Sequence, residues 1–335
     1  MSKGLLKFVA AGLVAATLIP ASVSAEPVKI RIAWAVAPAH ITPMIPEAPK
    51  DIYKHYGKSY VVEAVRMRGS GPALQALAAG EIDLGGLSAQ ALVLGVNRAK
   101  LDLRVIAQVM SGGVEGYGAT DFYTRKGEST ALESFKGKVI AVNALGSTID
   151  AAVQAQFGRA GMQPGKDYQV VEVRFPAMLG ALESKRVDMA PLLTPFNLIA
   201  EKKGIVTKVF DMGDALGPTE TLTWIGRADW IEKNRAAVVD FLEDNMRLRA
   251  WVTDEKTRPQ ALEVLAKLTK QPVENYEEWA FTKVDNYREP HAMVDPQRME
   301  KNIADLNKLG VLEGTVDIDK HVDTSLAKEA AARLN

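Results

Sequence analysis

The stretch Ala76-Leu77-Ala78-Ala79-Gly80-Glu81-Ile82-Asp83-Leu84 decides the fold, because it returns as Ala181-Leu182-Glu183-Ser184-Lys185-Arg186-Val187-Asp188-Met189. Asp83 and Asp188 stand 105 positions apart. Each phrase reads as the end of a helix, a tight turn and the start of a short buried strand. Gly80 suits the turn, since glycine takes the left-handed conformation that ends a helix. Ahead of the first phrase Val28, Ile30 and Ile32 alternate with Lys29 and Arg31 and run into Ala33-Trp34, the pattern of a strand. Ahead of the second lies the apolar run Val139–Val142. Helix–turn–strand phrases are common in α/β proteins, but here their order repeats as well as their wording. The reading is an α/β chain of two domains built on one plan, each a mostly parallel sheet flanked by helices.

Further elements follow from the same periodicities. Residues 60–65 and 101–109 read as strands, and Ile52, Tyr53 and Tyr56 suggest a helix between the first two strands. Ser70 is expected to cap a helix carrying Leu74, Leu77 and Ala78, and Ser88 to cap the next one. Residues 82–84 read as a short strand. The β-rich runs 118–124 and 221–225 are expected to cross between the domains, which gives residues 26–117 plus 226–335 as one lobe and 118–225 as the other. Beyond them the chain turns helical. Asp229 is placed at the cap of a long helix with Val238, Phe241, Leu242, Met246 and Leu248, followed by helices near 261–268, 276–281 and 299–309, and this tail is expected to pack on the first domain.

Residues 1–25 carry a separate message. Lys3 and Lys7 precede an apolar run over 8–19, and Val23-Ser24-Ala25 follows, which is the layout of a secretory signal peptide cleaved after Ala25. The run is shorter than the roughly 20 apolar residues that span a bilayer. With 47% apolar residues the remaining chain has material for real cores. Loss of Lys3 and Lys7 leaves 39 basic against 41 acidic residues, and no basic block suits nucleic acid. The sequence has no cysteine, which excludes disulfides, zinc–thiolate sites, thiol nucleophiles and a lipid-modified cysteine. His40, His55, His291 and His321 show no metal-ligand spacing. Gly116-Tyr117-Gly118 begins like a dinucleotide fingerprint but continues into a strand, where the fingerprint needs a helix. No cofactor and no metal are expected.

The signal peptide, the strand at 30–34, the phrase Gly69-Ser70-Gly71-Pro72-Ala73-Leu74, the phrase from Ala76 to Asp83, and Val139–Val142 leading to Gly146-Ser147-Thr148 together resemble the periplasmic substrate-binding proteins of ABC importers. The branch is the one serving nitrate, taurine and alkanesulfonates, and the resemblance covers residues 28–310. It implies two lobes joined by two crossing strands, a ligand in the cleft between them, hinge closure and delivery to an inner-membrane ABC permease. The implied protein is a periplasmic monomer that binds a small anionic or zwitterionic organic solute, sulfonate-, taurine- or carboxylate-like. An enzyme or binder acting on a pyrimidine or vitamin precursor is the alternative, although this chain lacks the cysteine-rich motif of some such relatives. A receptor for a sensor kinase is a third reading.

Ligands of open α/β sheets sit beyond the carboxyl ends of strands, where helix N-termini offer free N–H groups to anions. The candidate ligand contacts are therefore Trp34 and His40 after the first strand, Ser70 and Gly71 in the second turn, Gly146, Ser147 and Thr148 in the third, and Thr194, capping before Pro195, with Ser88 as its counterpart. Arg66 and Arg68 lie just upstream of the second turn. The crossings add Glu115, which could meet an amine, and Tyr117 and Trp224, which line the cleft or pack the hinge.

Overall fold

The computed structural model describes Met1 and residues 26–334. The expected signal peptide falls, apart from Met1, outside the described residues. The strands are β1 (Val28–Trp34), β2 (Tyr60–Arg66), β3 (Leu84–Leu87), β4 (Leu103–Gly112), β5 (Asp121–Arg125), β6 (Val139–Val142), β7 (Gln169–Glu172), β8 (Ala190–Leu192), β9 (Val206–Asp211) and β10 (Thr219–Arg227). The helices are α1 (Ser70–Ala78), α2 (Ala89–Asn97), α3 (Thr148–Arg159), α4 (Phe175–Glu183), α5 (Phe196–Lys202), α6 (Met212–Leu216), α7 (Ala228–Lys233), α8 (Arg235–Thr253), α9 (Arg258–Thr269), α10 (Pro296–Lys308), α11 (Ile318–His321) and α12 (Ser325–Ala332).

The first sheet runs β2-β1-β3-β10-β4, with β10 antiparallel to both of its neighbours. The remaining strands form the ribbons β6-β7 and β8-β5-β9. These meet where Ile140 bridges Met189 in parallel and the Ala141 N–H donates to the Met189 carbonyl at 2.8 Å. The second sheet thus reads β7-β6-β8-β5-β9, with β5 antiparallel on both sides. The two sheets share one plan, as the repeated phrase implies.

The repeated aspartates do the same work in both. Asp83 accepts the Arg31 backbone N–H at 2.9 Å and its guanidinium at 2.6 Å. Asp188 accepts the Val139 N–H at 3.0 Å and the Arg125 guanidinium at 2.9 Å. Each carboxylate therefore fastens its helix–turn–strand phrase to a neighbouring strand with charge-assisted bonds. Each sheet also has its own core. Ile30, Ile32, Leu84, Trp224 and the α8 residues Val238, Phe241 and Leu242 are buried together around the first, and Phe122, Ile140, Val142, Phe157 and Met189 around the second. Burying each such side chain contributes roughly 1.5–3 kcal/mol. The helical tail packs on the first sheet, with α12 against α8 and β4.

Several local expectations are corrected. Residues 50–56 form only a 3-10 turn, Lys50–Ile52, because the N–H groups of Lys54, His55 and Tyr56 all donate to Asp244 of α8 at 2.8–3.0 Å. Ser70 is the first residue of α1, with Gly69 at the cap, and the Ser70 hydroxyl accepts the Ser88 N–H instead. The strand expected at 82–84 begins at Leu84. The helix after β10 is broken at Asn234 into α7 and α8, and Asp229 lies inside the first turn of α7. Residues 276–281 are turns, with Phe281 left-handed (φ 64°) and its N–H held by Asp285. Residues 221–225 belong to β10, a full strand of the first sheet, and the return passage between sheets is α6 and the residues after it.

Candidate ligand-binding cleft

The carboxyl ends of strands from both sheets face a common space. β1 ends there at Trp34, and the turn beyond brings Val36, Ala39 and His40 to its wall. The turn after β2 adds Met67, Gly69 and Ser70, β3 adds Gly86, and antiparallel β10 adds Thr221 and Leu222 from near its amino end. From the second sheet come Asn143 after β6, Ser147, Thr148 and Ile149 at the start of α3, Phe175 opening α4, and Leu193 after β8. The cleft is narrow, with about 70 Å³ of free space.

Its walls are mainly apolar. Among the described residues the lining includes no lysine, arginine, aspartate or glutamate, and its titratable side chain is His40. Burial, assisted by the nearby Arg288 charge, lowers the His40 pKa to about 4, so the ring is neutral at physiological pH. Nδ1 lies 3.3 Å from the Val36 carbonyl, which puts the proton on Nδ1 and leaves Nε2 as an acceptor. Gly86 leaves room for the ring, since a Cβ there would stand 3.0 Å from Nε2 and press on it.

The polar groups divide into occupied and free. The Ser147 hydroxyl caps α3 by accepting the Asp150 N–H at 3.2 Å and donates to Asn143 Oδ1 at 2.9 Å. Thr148 Oγ1 donates to the Thr221 carbonyl at 2.7 Å. Asn143 Nδ2 donates to the Arg68 carbonyl at 3.0 Å. By contrast, Trp34 Nε1 and Thr221 Oγ1 are buried without a partner. The first N–H groups of α1 and α3 also lack an intrahelical partner, as helix geometry requires, and in α3 the Ser147 hydroxyl takes one of them, that of Asp150. The cleft thus offers apolar walls, two aromatic side chains and a few uncommitted donors.

A model of the NMT1-like family matches residues 24–266. The chain belongs to the NMT1-like family. No curated protein matches the sequence. Among solved structures the NMT1-like chain is similar to the ligand-binding component of an ABC-type import system from Staphylococcus aureus, with 17% identity, TM-score 0.69, 90% of this chain and 99% of that one covered. It is similar to the periplasmic aliphatic sulphonate binding protein SsuA from Escherichia coli, with 18% identity, TM-score 0.66 and coverage of 90% and 99%. It is also similar to the periplasmic nitrate-binding protein NrtA from Synechocystis PCC 6803, with 18% identity, TM-score 0.68 and coverage of 92% and 90%. The fold is the two-lobed α/β fold of periplasmic binding proteins, each lobe built on one of the two sheets.

The NMT1-like structure brings Trp34, His40, Ser70, Ser147 and Thr148 to one cleft. The other candidates lie elsewhere. Gly71 is tight against the second lobe, where a Cβ would stand 2.4 Å from the Leu145 carbonyl oxygen. Gly146 has a left-handed φ of 72° and gives its N–H to Asp150. Ser88 caps α2 and donates to the Gly146 carbonyl at 3.1 Å. Thr194 is outside the capping register, since α5 starts at Phe196, and it lines a neighbouring depression with Asp285. Glu115 is exposed in the first passage between sheets. Tyr117 packs edge-on to Tyr287 with ring centres 4.9 Å apart. Trp224 is 1% exposed and packs edge-on to Phe241, so it is core. Sequence reasoning missed Asn143 and Phe175. Asn143 directly follows β6, so the strand-end rule pointed to it, whereas Phe175 is separated from β7 by an unpatterned turn.

Proposed function

We propose that the protein is an extracytoplasmic receptor that captures a small organic anion or zwitterion, sulfonate-, taurine- or carboxylate-like, between its lobes and delivers it to an ABC permease. The observation that carries the reading is a cleft walled by strand ends of both sheets, apolar and with uncommitted donors. The fold shared with proteins described as sulphonate-binding and nitrate-binding supports it. The signal-peptide pattern of residues 1–25 supports a periplasmic location. The lobes in this reading are residues 26–117 with 219–335, and 118–218; the second boundary differs from the sequence reading, a shift that the pairing of β10 with β3 and β4 supports. The protein acts as a monomer and releases its ligand unchanged.

A thermal-shift screen tests this with nitrate, taurine, alkanesulfonates, aromatic carboxylates and pyrimidines. A true ligand at 100 times its Kd adds about 2.7 kcal/mol of stability. A reproducible shift with one class, without turnover, supports the receptor. Product formation from the bound compound would establish an enzyme on this fold instead.

A further inference from the structure

The apolar cleft opens onto a second space. A groove of about 390 Å³ shares Ala35, Val36, Met67 and Phe175 with the cleft, and its rim carries Arg66, Arg68 and Arg174. Arg66 ends β2 and Arg68 follows it, whereas Arg174 stands just before α4, so the rim is built from both lobes. All three arginines are exposed. Among the described residues the groove lining contains no carboxylate. Glu172 approaches Arg68 Nη1 at 3.5 Å but also accepts the Leu145 N–H at 2.8 Å. Arg66 and Arg174 have no carboxylate partner among the described residues, and three guanidiniums against one carboxylate leave the rim two charges positive. The Arg66 guanidinium lies over the Trp34 ring, 5.2 Å from its centre, which orients it without neutralising it.

The cleft itself is a poor place for a full negative charge. It has no charged side chain, and an unpaired anion loses its hydration on entering apolar surroundings. The start of α3 is already answered, because the Asp150 carboxyl lies in its first turn and takes the Gly146 N–H at 2.9 Å. A guanidinium fork, by contrast, matches the oxygens of a carboxylate or sulfonate.

We infer that the solute is an organic anion with an apolar body, the body lying in the cleft beside Trp34 and Phe175 and the carboxylate or sulfonate held at the rim by Arg66, Arg68 and Arg174. This assignment rests on the receptor reading above and adds where the charge is read. Because the arginines come from both lobes, the head group also ties the lobes together when the body is inside. A bare inorganic anion lacks the body, and a neutral analogue lacks the tie.

Calorimetric titration of the purified protein with phenylmethanesulfonate, its neutral isostere phenylmethanesulfonamide and nitrate tests the assignment. The sulfonate binds at least tenfold more tightly than the sulfonamide, and nitrate binds more weakly than either. In the double variant Arg66→Gln/Arg174→Gln the sulfonate's advantage shrinks to about twofold, while sulfonamide binding is unchanged. Both positions are exposed, so folding is retained, and circular dichroism checks this. Equal binding of the two isosteres by the unaltered protein overturns the rim assignment alone. So does a preference that survives in the double variant but disappears in Ser147→Ala, which would place the charge at α3. Failure of a folded protein to bind either isostere overturns the receptor reading for this class of solute.

Discussion

Single residues carry the clearest energetic consequences. Gly80 and Lys185 occupy equivalent places in the repeated phrase, and both are left-handed, with φ 72° and 61°. Glycine adopts that conformation freely, whereas an L side chain costs roughly 1–2 kcal/mol there. Lys185→Gly is therefore expected to raise stability by up to about 1 kcal/mol after the entropy of a freer unfolded chain is subtracted. Gly80→Ala is expected to lower it by about the same amount, since a Cβ at Gly80 meets only Arg227 Nη1 at 3.7 Å. Urea denaturation of both variants decides, and a loss in Lys185→Gly would contradict the argument. Glu220 makes a pH prediction. It is 2% exposed, accepts from Arg298 at 3.1 Å and from Ser111 at 3.1 Å, and has Asp295 nearby. Burial outweighs the pull of Arg298 and Ser111 and pushes its carboxyl up to about 7. A carboxyl raised in the folded state favours folding at pH values below its unfolded pKa, and that contribution is lost as pH climbs through about 7. Glu220→Gln mimics the protonated form at every pH. Its melting temperature relative to the unaltered protein should accordingly rise between pH 5 and pH 8, and parallel pH curves for the two proteins would refute the assignment.

At the scale of elements, what the sequence displays and what it hides follow one rule. Features decided within a few residues are legible: the alternation of β1, the left-handed stop at Gly80, and the caps Ser88 and Ser147, which both accept the N–H three residues on. Features decided by distant partners are not. Ile52, Tyr53 and Tyr56 have helical spacing, yet Asp244, nearly two hundred residues later, takes the N–H groups that a helix would turn inward. Ser70 has the chemistry of a cap but serves Ser88 across the fold. The site divides in the same way. Trp34, His40, Ser147 and Thr148 follow from the strand-end rule, whereas Trp224 lay beyond it, because a tryptophan on a strand does not reveal which face is core. Asp244 is also a joint between several elements, since its buried carboxylate accepts the Tyr60 hydroxyl at 3.0 Å as well. Asp244→Ala leaves four donors without their acceptor. At about 1–3 kcal/mol for each buried group left unpaired, and with water reaching some of them, a loss of roughly 3–5 kcal/mol is expected. An unfolding free energy from chemical denaturation within about 1 kcal/mol of the original, about the worth of one hydrogen bond, would show that the 54–56 turn is held by something else.

At the scale of the whole molecule, the two lobes are joined by more than their chain passages. Asn143 Nδ2 meets the Arg68 carbonyl at 3.0 Å, Thr148 Oγ1 the Thr221 carbonyl at 2.7 Å, and Ser88 Oγ the Gly146 carbonyl at 3.1 Å. Each runs from the cleft side of one lobe to the cleft side of the other, so together they hold the lobes against each other in this structure. Such bonds bias an open–closed equilibrium, and a ligand that needs both walls binds more weakly when the closed state is rarer. One hydrogen bond is worth about 1 kcal/mol, a change of about fivefold in that ratio. Thr148→Val keeps the shape of the side chain and removes its donor. It is expected to enlarge the ligand-free radius of gyration in small-angle X-ray scattering, and to weaken binding of any cleft ligand by up to about fivefold, chiefly through faster release. If Thr148→Val weakened binding while the scattering profile stayed unchanged, Thr148 would be acting through direct contact with the solute, and the lobes would be held together by the remaining bonds alone.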